Sequence, residues 1–338
     1  MDSVPVFVGL DYHQRLVQVC IMDRQGTVLA NKRVANDLSE IAGVVGQYGS
    51  VVRCAIESCG GAADLAEELI TKEGWSVDLA HTGYVNRMKQ SPDKSDFTDA
   101  RMLADLERVG YLPRVWLAPH YIRDLRRLVR YRQQLIDERR STRLRIRALL
   151  REQRLRCSFA NPWTEAWLEW LRKTDQLSEQ SRWVANRHLD HIATLSQDIT
   201  QAETHLKEVT REDAVVKRLL EYAGIGWATA WMLRAEIGRF DRFRSGKQLS
   251  RFCGLSPRNA SSGDRQADAG LVKAANRQLR ATLIEAAHRL ARYDPRWTEF
   301  GTKLRRRGKP GSVAAAAVAN RWIRWLFNQM NLEKQMAV

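Results

Sequence analysis

Four acidic residues stand where they could act together. Asp11 closes the apolar run "VGLD", Glu57 closes "CAIE", and Asp96 and Asp99 sit three apart in "SDFTDAR". At about 100° per helical residue, Asp96 and Asp99 share one helix face about 60° apart, whereas Asp105 is turned about 180° from Asp96. Asp105 therefore reads as a surface acid, and Asp93, beside Pro92, as a loop or cap residue. An Asp at a helix start is often only a cap or dipole partner, which would account for Asp96 alone. Asp11 is harder to dismiss, because a carboxylate among Val8, Gly9 and Leu10 is costly unless paired or bound to metal. Four converging carboxylates repel each other unless a hard cation neutralises them. An all-oxygen donor set favours Mg²⁺, with Mn²⁺ as the alternative, and two such ions about 4 Å apart can clamp an in-line phosphoryl transfer.

The elements around these acids alternate. "PVFVGLDYH" (5–13) reads as a buried strand, with "LVQVCIMD" (16–23) and "TVLANKRV" (27–34) as hairpin neighbours. A helix over about 37–48 precedes the strand "VVRCAIES" (51–58). After Gly60 and Gly61 come an amphipathic helix (62–74) and the strand "WSVDLAH" (75–81). A polar loop with Pro92 leads to a helix from about Ser95 to Val109, stopped by Gly110 and Pro113. The pattern predicts a mixed α/β sheet covered by helices. If Glu57's strand neighbours Asp11's, as in a sheet ordered like ribonuclease H, the later helix brings Asp96 and Asp99 to the same strand ends.

Charge divides the chain. Residues 1–117 hold 12 Lys/Arg and 16 Asp/Glu, a net of −4, so with +16 overall the remaining 221 residues carry +20. A basic body on a mildly acidic module points to a polyanion partner, and its richness in arginine favours nucleic-acid phosphate over a membrane surface. Residues 121–156 contain 13 arginines against four acids, without glycine or proline; Leu125, Leu128, Tyr131 and Leu135 recur at helical spacing. With a second helical block over about 174–220, this predicts an antiparallel coiled-coil-like arm. Arg126, Arg127, Arg130, Arg139, Arg140, Arg143 and Arg147 are its candidate phosphate contacts. Trp163, Trp167 and Trp170 form a stripe that reads as core or oligomer contact rather than a base-stacking platform.

Beyond residue 216 the chain reads as helical and loop-rich. Gly224-Ile225-Gly226 between two helices has the pattern of a helix-hairpin-helix, whose glycines let backbone N–H groups approach a phosphate. Arg305, Arg306 and Arg307, flanked by Lys303 and Lys309, form a further basic cluster. Five cysteines without a C-x-x-C pair argue against a disulfide framework or structural zinc, and His188 with His191 offers two of the four ligands zinc needs. No signal peptide is evident and "SVAAAAVAN" is too short to span a bilayer, so a soluble cytoplasmic protein is expected.

Taken in order, "GLD" (9–11), "IESCG" (56–60), "KSDFTDARMLAD" (94–105), "GLSPRNASSG" (254–263), Lys273 and "QLRATL" closely resemble the DEDD transposases of insertion-sequence family 110 and its 1111 subgroup. The resemblance covers both ends of the chain. It implies a RuvC-like, ribonuclease-H-fold domain over 1–117 with Asp11, Glu57, Asp96 and Asp99 binding Mg²⁺. It further implies an arginine-rich helical region over 118–215 and a C-terminal transposase domain over 216–338. That last domain would supply a serine nucleophile, Ser262 before Gly263, forming a covalent phosphoserine intermediate with DNA. Ser261 is adjacent, and "KAAN", which begins at Lys273, stands where the family pattern has lysine–x–glycine. The implied partners are donor and target DNA, a structured guide (bridge) RNA, and further copies of the chain, as a tetramer. Read from its residues alone, Ser262 is an ordinary loop serine, a poor nucleophile without a base or metal to activate it. Two rival readings are a metal-dependent RuvC-like nuclease or Holliday-junction resolvase using water, and a non-catalytic nucleic-acid-binding protein.

Overall fold

The computed structural model describes residues 4–88, 95–155, 161–259 and 268–336. They form two compact units, Met1–His120 and Tyr121–Val338. In the first, β1 (Pro5–Tyr12), β2 (Leu16–Met22) and β3 (Val28–Ala35) form an antiparallel meander. Then follow α1 (Leu38–Gly46), β4 (Ser50–Glu57), α2 (Ala62–Glu73), β5 (Val77–Ala80), α3 (Thr82–Met88), α4 (Asp96–Arg108) and β6 (Arg114–Val115). The sheet order is β3-β2-β1-β4-β5-β6, with β1, β4 and β5 parallel and β6 antiparallel to β5. The expected adjacency of Asp11's strand and Glu57's strand is present. The sequence pattern missed α3, a seven-residue helix of about two turns inside the expected loop, and the two-residue β6.

Strand alternation decides which side chains meet α4. Val6, Val8 and Leu10 of β1, with Cys54 and Ile56 of β4, pack into one cluster with Leu65 and Leu69 of α2. Successive residues face opposite sides of a sheet, so Gly9 and Asp11, and likewise Ala55 and Glu57, belong to the other side. There Ala55 packs with Leu103 of α4. The approach is closest at Gly9, where an added Cβ would lie 2.1 Å from the Ala100 carbonyl oxygen and 2.5 Å from the Ala104 nitrogen. A small residue on each side of this contact lets α4 lie directly on the strand. Gly9→Ala is expected to push α4 outward, costing about 1–3 kcal/mol by overpacking; a drop in thermal midpoint together with weakened DNA cleavage would show it.

In the second unit, α5 (His120–Glu152), α6 (Glu165–Lys173) and α7 (Glu179–Val209) form the arm. Contacts rise along α5 as they fall along α7. Arg132 pairs with Glu203 and Arg139 Nη1 donates to Ser196 Oγ, while Ile146 and Leu150 pack with Leu189. The helices are therefore antiparallel. Trp167 of α6 is buried in the same cluster, with Trp163 and Trp170 packed against it. The expected block over 174–220 is divided, because Asp213 caps a separate helix, α8 (Ala214–Leu220), through the amides of Val215 and Val216. After α9 (Trp227–Ile237) and α10 (Gly246–Phe252) come two short antiparallel strands, β7 (Pro257–Asn259) and β8 (Asp268–Leu271). The chain closes with α11 (Arg277–Tyr293), α12 (Pro295–Arg306) and α13 (Gly311–Met336). Leu125 and Val129 of α5 and Leu206 of α7 share one core with Trp231, Leu283 and Trp322. The base of the arm is thus continuous with the C-terminal helices.

Candidate functional site

Asp11, 9% exposed, is the penultimate residue of β1. The parallel register pairs Gly9 with Ala55 and Leu10 with Ile56, so Glu57 is its counterpart at the end of β4. Asp96 and Asp99 occupy the first turn of α4, and Asp99 is 5% exposed. That turn is tethered to the meander. Arg33 of β3 pairs with Asp96 at 2.8 Å, and Asn31 Nδ2 donates to the Phe97 carbonyl at 2.9 Å. Asn31 in turn accepts from Gln18, the residue opposite Asp11 on β2. At its other end α4 carries buried Glu107, which accepts from Arg114 at 2.6 Å and Arg53 at 3.3 Å. Helix position is thereby fixed at both ends, and only one end faces Asp11.

Burial pushes the Asp11 carboxyl above the usual range. The charges of Asp96 and Asp99 push the same way, and together these outweigh the opposing effect of His13. The structure therefore brings Asp11, Asp96 and Asp99 into one electrostatic neighbourhood. Glu57 joins it through Cys59, whose thiol is raised by burial and then by the charges of Glu57 and Asp11. His13 was not anticipated from the sequence. Its Nε2 lies 3.4 Å from Asp11 Oδ2 and 3.4 Å from Asp96 Oδ1. The available signal was its place two residues beyond Asp11 in "LDYH", a spacing that returns a side chain to the same strand face. One ligand atom from each of Asp11, His13 and Asp96 falls within 4.8 Å of the others. Carboxylate oxygens supplemented by one imidazole suit a divalent ion of the Mg²⁺ or Mn²⁺ type, the nitrogen favouring Mn²⁺. A depression of ≈ 500 Å³ lined by Tyr12, His13, Gln14 and Cys59 opens beside these residues.

The remaining expected residues fall elsewhere. Asp105 pairs with Arg108, while Asp93 lies outside the described residues. Ser261, Ser262 and Gly263 belong to the connection between β7 and β8 and also lie outside them. Lys273 is exposed just past β8. Along α5 the arginines divide by face. Arg126 donates to the Ala235 carbonyl, Arg130 pairs with Glu236 at 3.0 Å, and Arg143 lies 5.1 Å over the Trp163 ring. With Arg139 on Ser196, these arginines stitch the unit together; Arg127 pairs with Asp124, and Arg140 and Arg147 are exposed. Gly224 has φ +81, and a Cβ there would lie 2.7 Å from Leu290, so packing alone requires glycine. Gly226 precedes α9 with open space around it. Arg305, Arg306 and Arg307 are exposed at the C-terminal end of α12, where positive charge also complements the helix dipole. His191 contacts Glu138 at 3.1 Å rather than serving as half of a metal site with His188.

The family model DEDD_Tnp_IS110, described as a transposase, matches residues 8–154, and a second, described as Transposase IS116/IS110/IS902 family, matches residues 216–302. The chain belongs to this IS110 family of transposases, enzymes that cut and rejoin DNA. It is 27% identical to the transposase for insertion sequence element IS1111A of Coxiella burnetii, over 94% of this chain and 88% of the relative. It is 29% identical to the "Probable family 20 transposase" of Pseudomonas aeruginosa, over 96% of this chain and 97% of the relative. The transposase for IS1328 of Yersinia enterocolitica is 26% identical over 83% of this chain and 82% of its own length. Among the described residues no helix is long and apolar enough to cross a membrane.

Proposed function

We propose that this transposase is an RNA-guided DNA recombinase whose RuvC-like domain holds divalent metal through Asp11, Glu57, Asp96 and Asp99, and whose nucleophile is Ser262. The observation that carries the reading is the gathering of Asp11, Asp96 and Asp99, with Glu57 on the neighbouring parallel strand. The strand order β3-β2-β1-β4-β5 supports a ribonuclease-H-like fold for residues 1–117. Residues 118–215 would act as the arginine-rich arm and 216–338 as the serine-bearing domain.

Mg²⁺, or Mn²⁺ in its place, would supply Lewis-acid stabilisation of the charge that develops on a phosphate during transfer. The chain's own residues do the rest. Asp11 and Asp99, held in a water-poor setting, present negative charge that a cation neutralises more strongly than it would in bulk solvent. Arg33 and the Asn31 bond to Phe97 orient the first turn of α4. Ser262 Oγ forms a bond to the DNA phosphorus as one strand P–O bond breaks. The hydroxyl proton leaves the serine, and the freed strand end takes up a proton. Because one phosphoester replaces another, rejoining needs no outside energy source. Exposed Arg127, Arg140 and Arg147, with Lys273, Arg305, Arg306 and Arg307, would hold DNA or guide RNA as phosphate contacts. A bridge RNA and assembly as a tetramer complete the reading, on the strength of the family resemblance.

Strand exchange on a donor–target pair tests it. Chelation should stop the reaction, excess Mg²⁺ should restore it, and ribonuclease treatment before DNA addition should abolish it. Exchange that survives both chelation and ribonuclease overturns the reading.

A further inference from the structure

A concave surface lies apart from every residue assigned above. It is formed within the second unit by α10, α12 and α13, which enclose a groove of ≈ 790 Å³. Lys247, Arg296, Arg321 and Arg324 line it, and no Asp or Glu does. Among the described residues none of these four makes an ion pair. The ordinary reading of surface arginines is solvation, yet four like charges around one concavity repel, which favours an anion between them.

The aromatic floor makes the groove more specific than a basic patch. The Arg296 guanidinium lies over both Trp297 and Trp325, 5.1 and 5.5 Å from the ring centroids, and Arg321 lies 4.2 Å over Phe300. Stacking fixes the plane of a guanidinium while leaving its edge N–H donors available for bidentate phosphate contact. Its free face is a platform for a planar base. On α13, Arg321, Arg324 and Asn328 recur at i, i+3 and i+7, with Trp322, Ile323 and Leu326 fully buried on the opposite side. Asn328 is exposed in the groove and carries both a donor and an acceptor for a base edge. Gly246 keeps the groove's wall close: a Cβ there would lie 3.0 Å from the Arg324 Cα and carbonyl oxygen.

We propose that this groove binds a single-stranded nucleic-acid segment, holding phosphates with Arg296, Arg321 and Arg324 and stacking unpaired bases on the arginine–aromatic layers. A duplex offers the phosphates but keeps its base faces stacked internally, so it cannot use the platform. The site is independent of the metal chemistry proposed above.

Binding of labelled single-stranded RNA and DNA to the full chain, measured across a salt series, tests the assignment. Replacing Arg296, Arg321 and Arg324 together by Gln should weaken binding at least about tenfold and reduce the log–log salt slope by about 2, at about 0.7 per phosphate on a single strand. Loss confined to RNA assigns the groove to an RNA segment, and loss confined to DNA assigns it to an unpaired DNA strand. Photocrosslinking with 4-thiouracil or 4-thiothymine oligonucleotides should label peptides spanning 296–328. If the triple variant does not fold, the exposed pair Lys247→Gln and Asn328→Ala should still weaken single-strand binding about threefold or more. An unchanged affinity and slope in a folded variant, or loss of duplex binding alone, overturns the proposal.

Discussion

Replacing Asp11 by Asn is expected to reduce DNA strand cleavage about 10³-fold or more while leaving the metal-free protein as stable as the parent or more stable. The rate loss follows from removing a buried carboxylate of the cluster: several kcal/mol of metal-derived transition-state stabilisation correspond to about three powers of ten. The stability gain follows from linkage. The folded-state pKa of Asp11 is raised above its ordinary 3.8, chiefly by burial. The folded protein therefore holds that proton more tightly than the unfolded chain. The group's contribution becomes more favourable as pH falls through this window, and above the raised pKa the ionised carboxylate is unfavourable. Asn imitates the neutral form at every pH, so the variant should unfold at an equal or higher temperature at pH 7 in the presence of chelator. Asp11 also lies 3.4 Å from His13. A markedly lower unfolding temperature would mean that the carboxylate serves mainly as His13's partner.

Ser262→Ala should abolish the covalent protein–DNA adduct, with strand exchange falling by about 10⁴-fold or more, as when a hydroxyl nucleophile is deleted from a site whose other parts remain. Alanine removes only the hydroxyl oxygen that the proposed chemistry requires. Ser261→Ala, one position away, should leave the adduct in place. Denaturing gels after incubation with end-labelled DNA read both outcomes. An adduct retained in the Ser262 variant sinks the serine assignment. Cleavage without any adduct in the parent protein would point to water as nucleophile, the resolvase chemistry.

Much of the first unit was legible because its strands are short, apolar and separated by glycine or charged turns. The placement of Asp11 and Glu57 near two strand ends, and of Asp96 and Asp99 on the first turn of one helix, followed from the sequence pattern. What periodicity could not supply was the closeness of α4 to β1, which depends on Gly9 meeting Ala100 and Ala104 across 91 or more residues of chain. His13 was missed because its two-residue spacing from Asp11 is a weak signal by itself, and its approach to Asp96 appears only in three dimensions. On α5, counting arginines did not separate Arg126 and Arg130, spent on Ala235 and Glu236, from Arg140 and Arg147, which are exposed. The split between α7 and α8 was obscured because neither glycine nor proline marks it; the cap at Asp213 was its one local sign. The basic groove draws its residues from three helices between Ser245 and Asn328, so no sequence window contains it.

Calorimetric titration of Mn²⁺ into the parent protein and into the Asp11→Asn and Asp99→Asn variants reaches the central claim directly, without DNA, RNA or turnover. Saturable binding in the parent, weakened at least about tenfold in each folded variant, is the predicted result. Equal binding by all three proteins would contradict a metal centre built on these carboxylates.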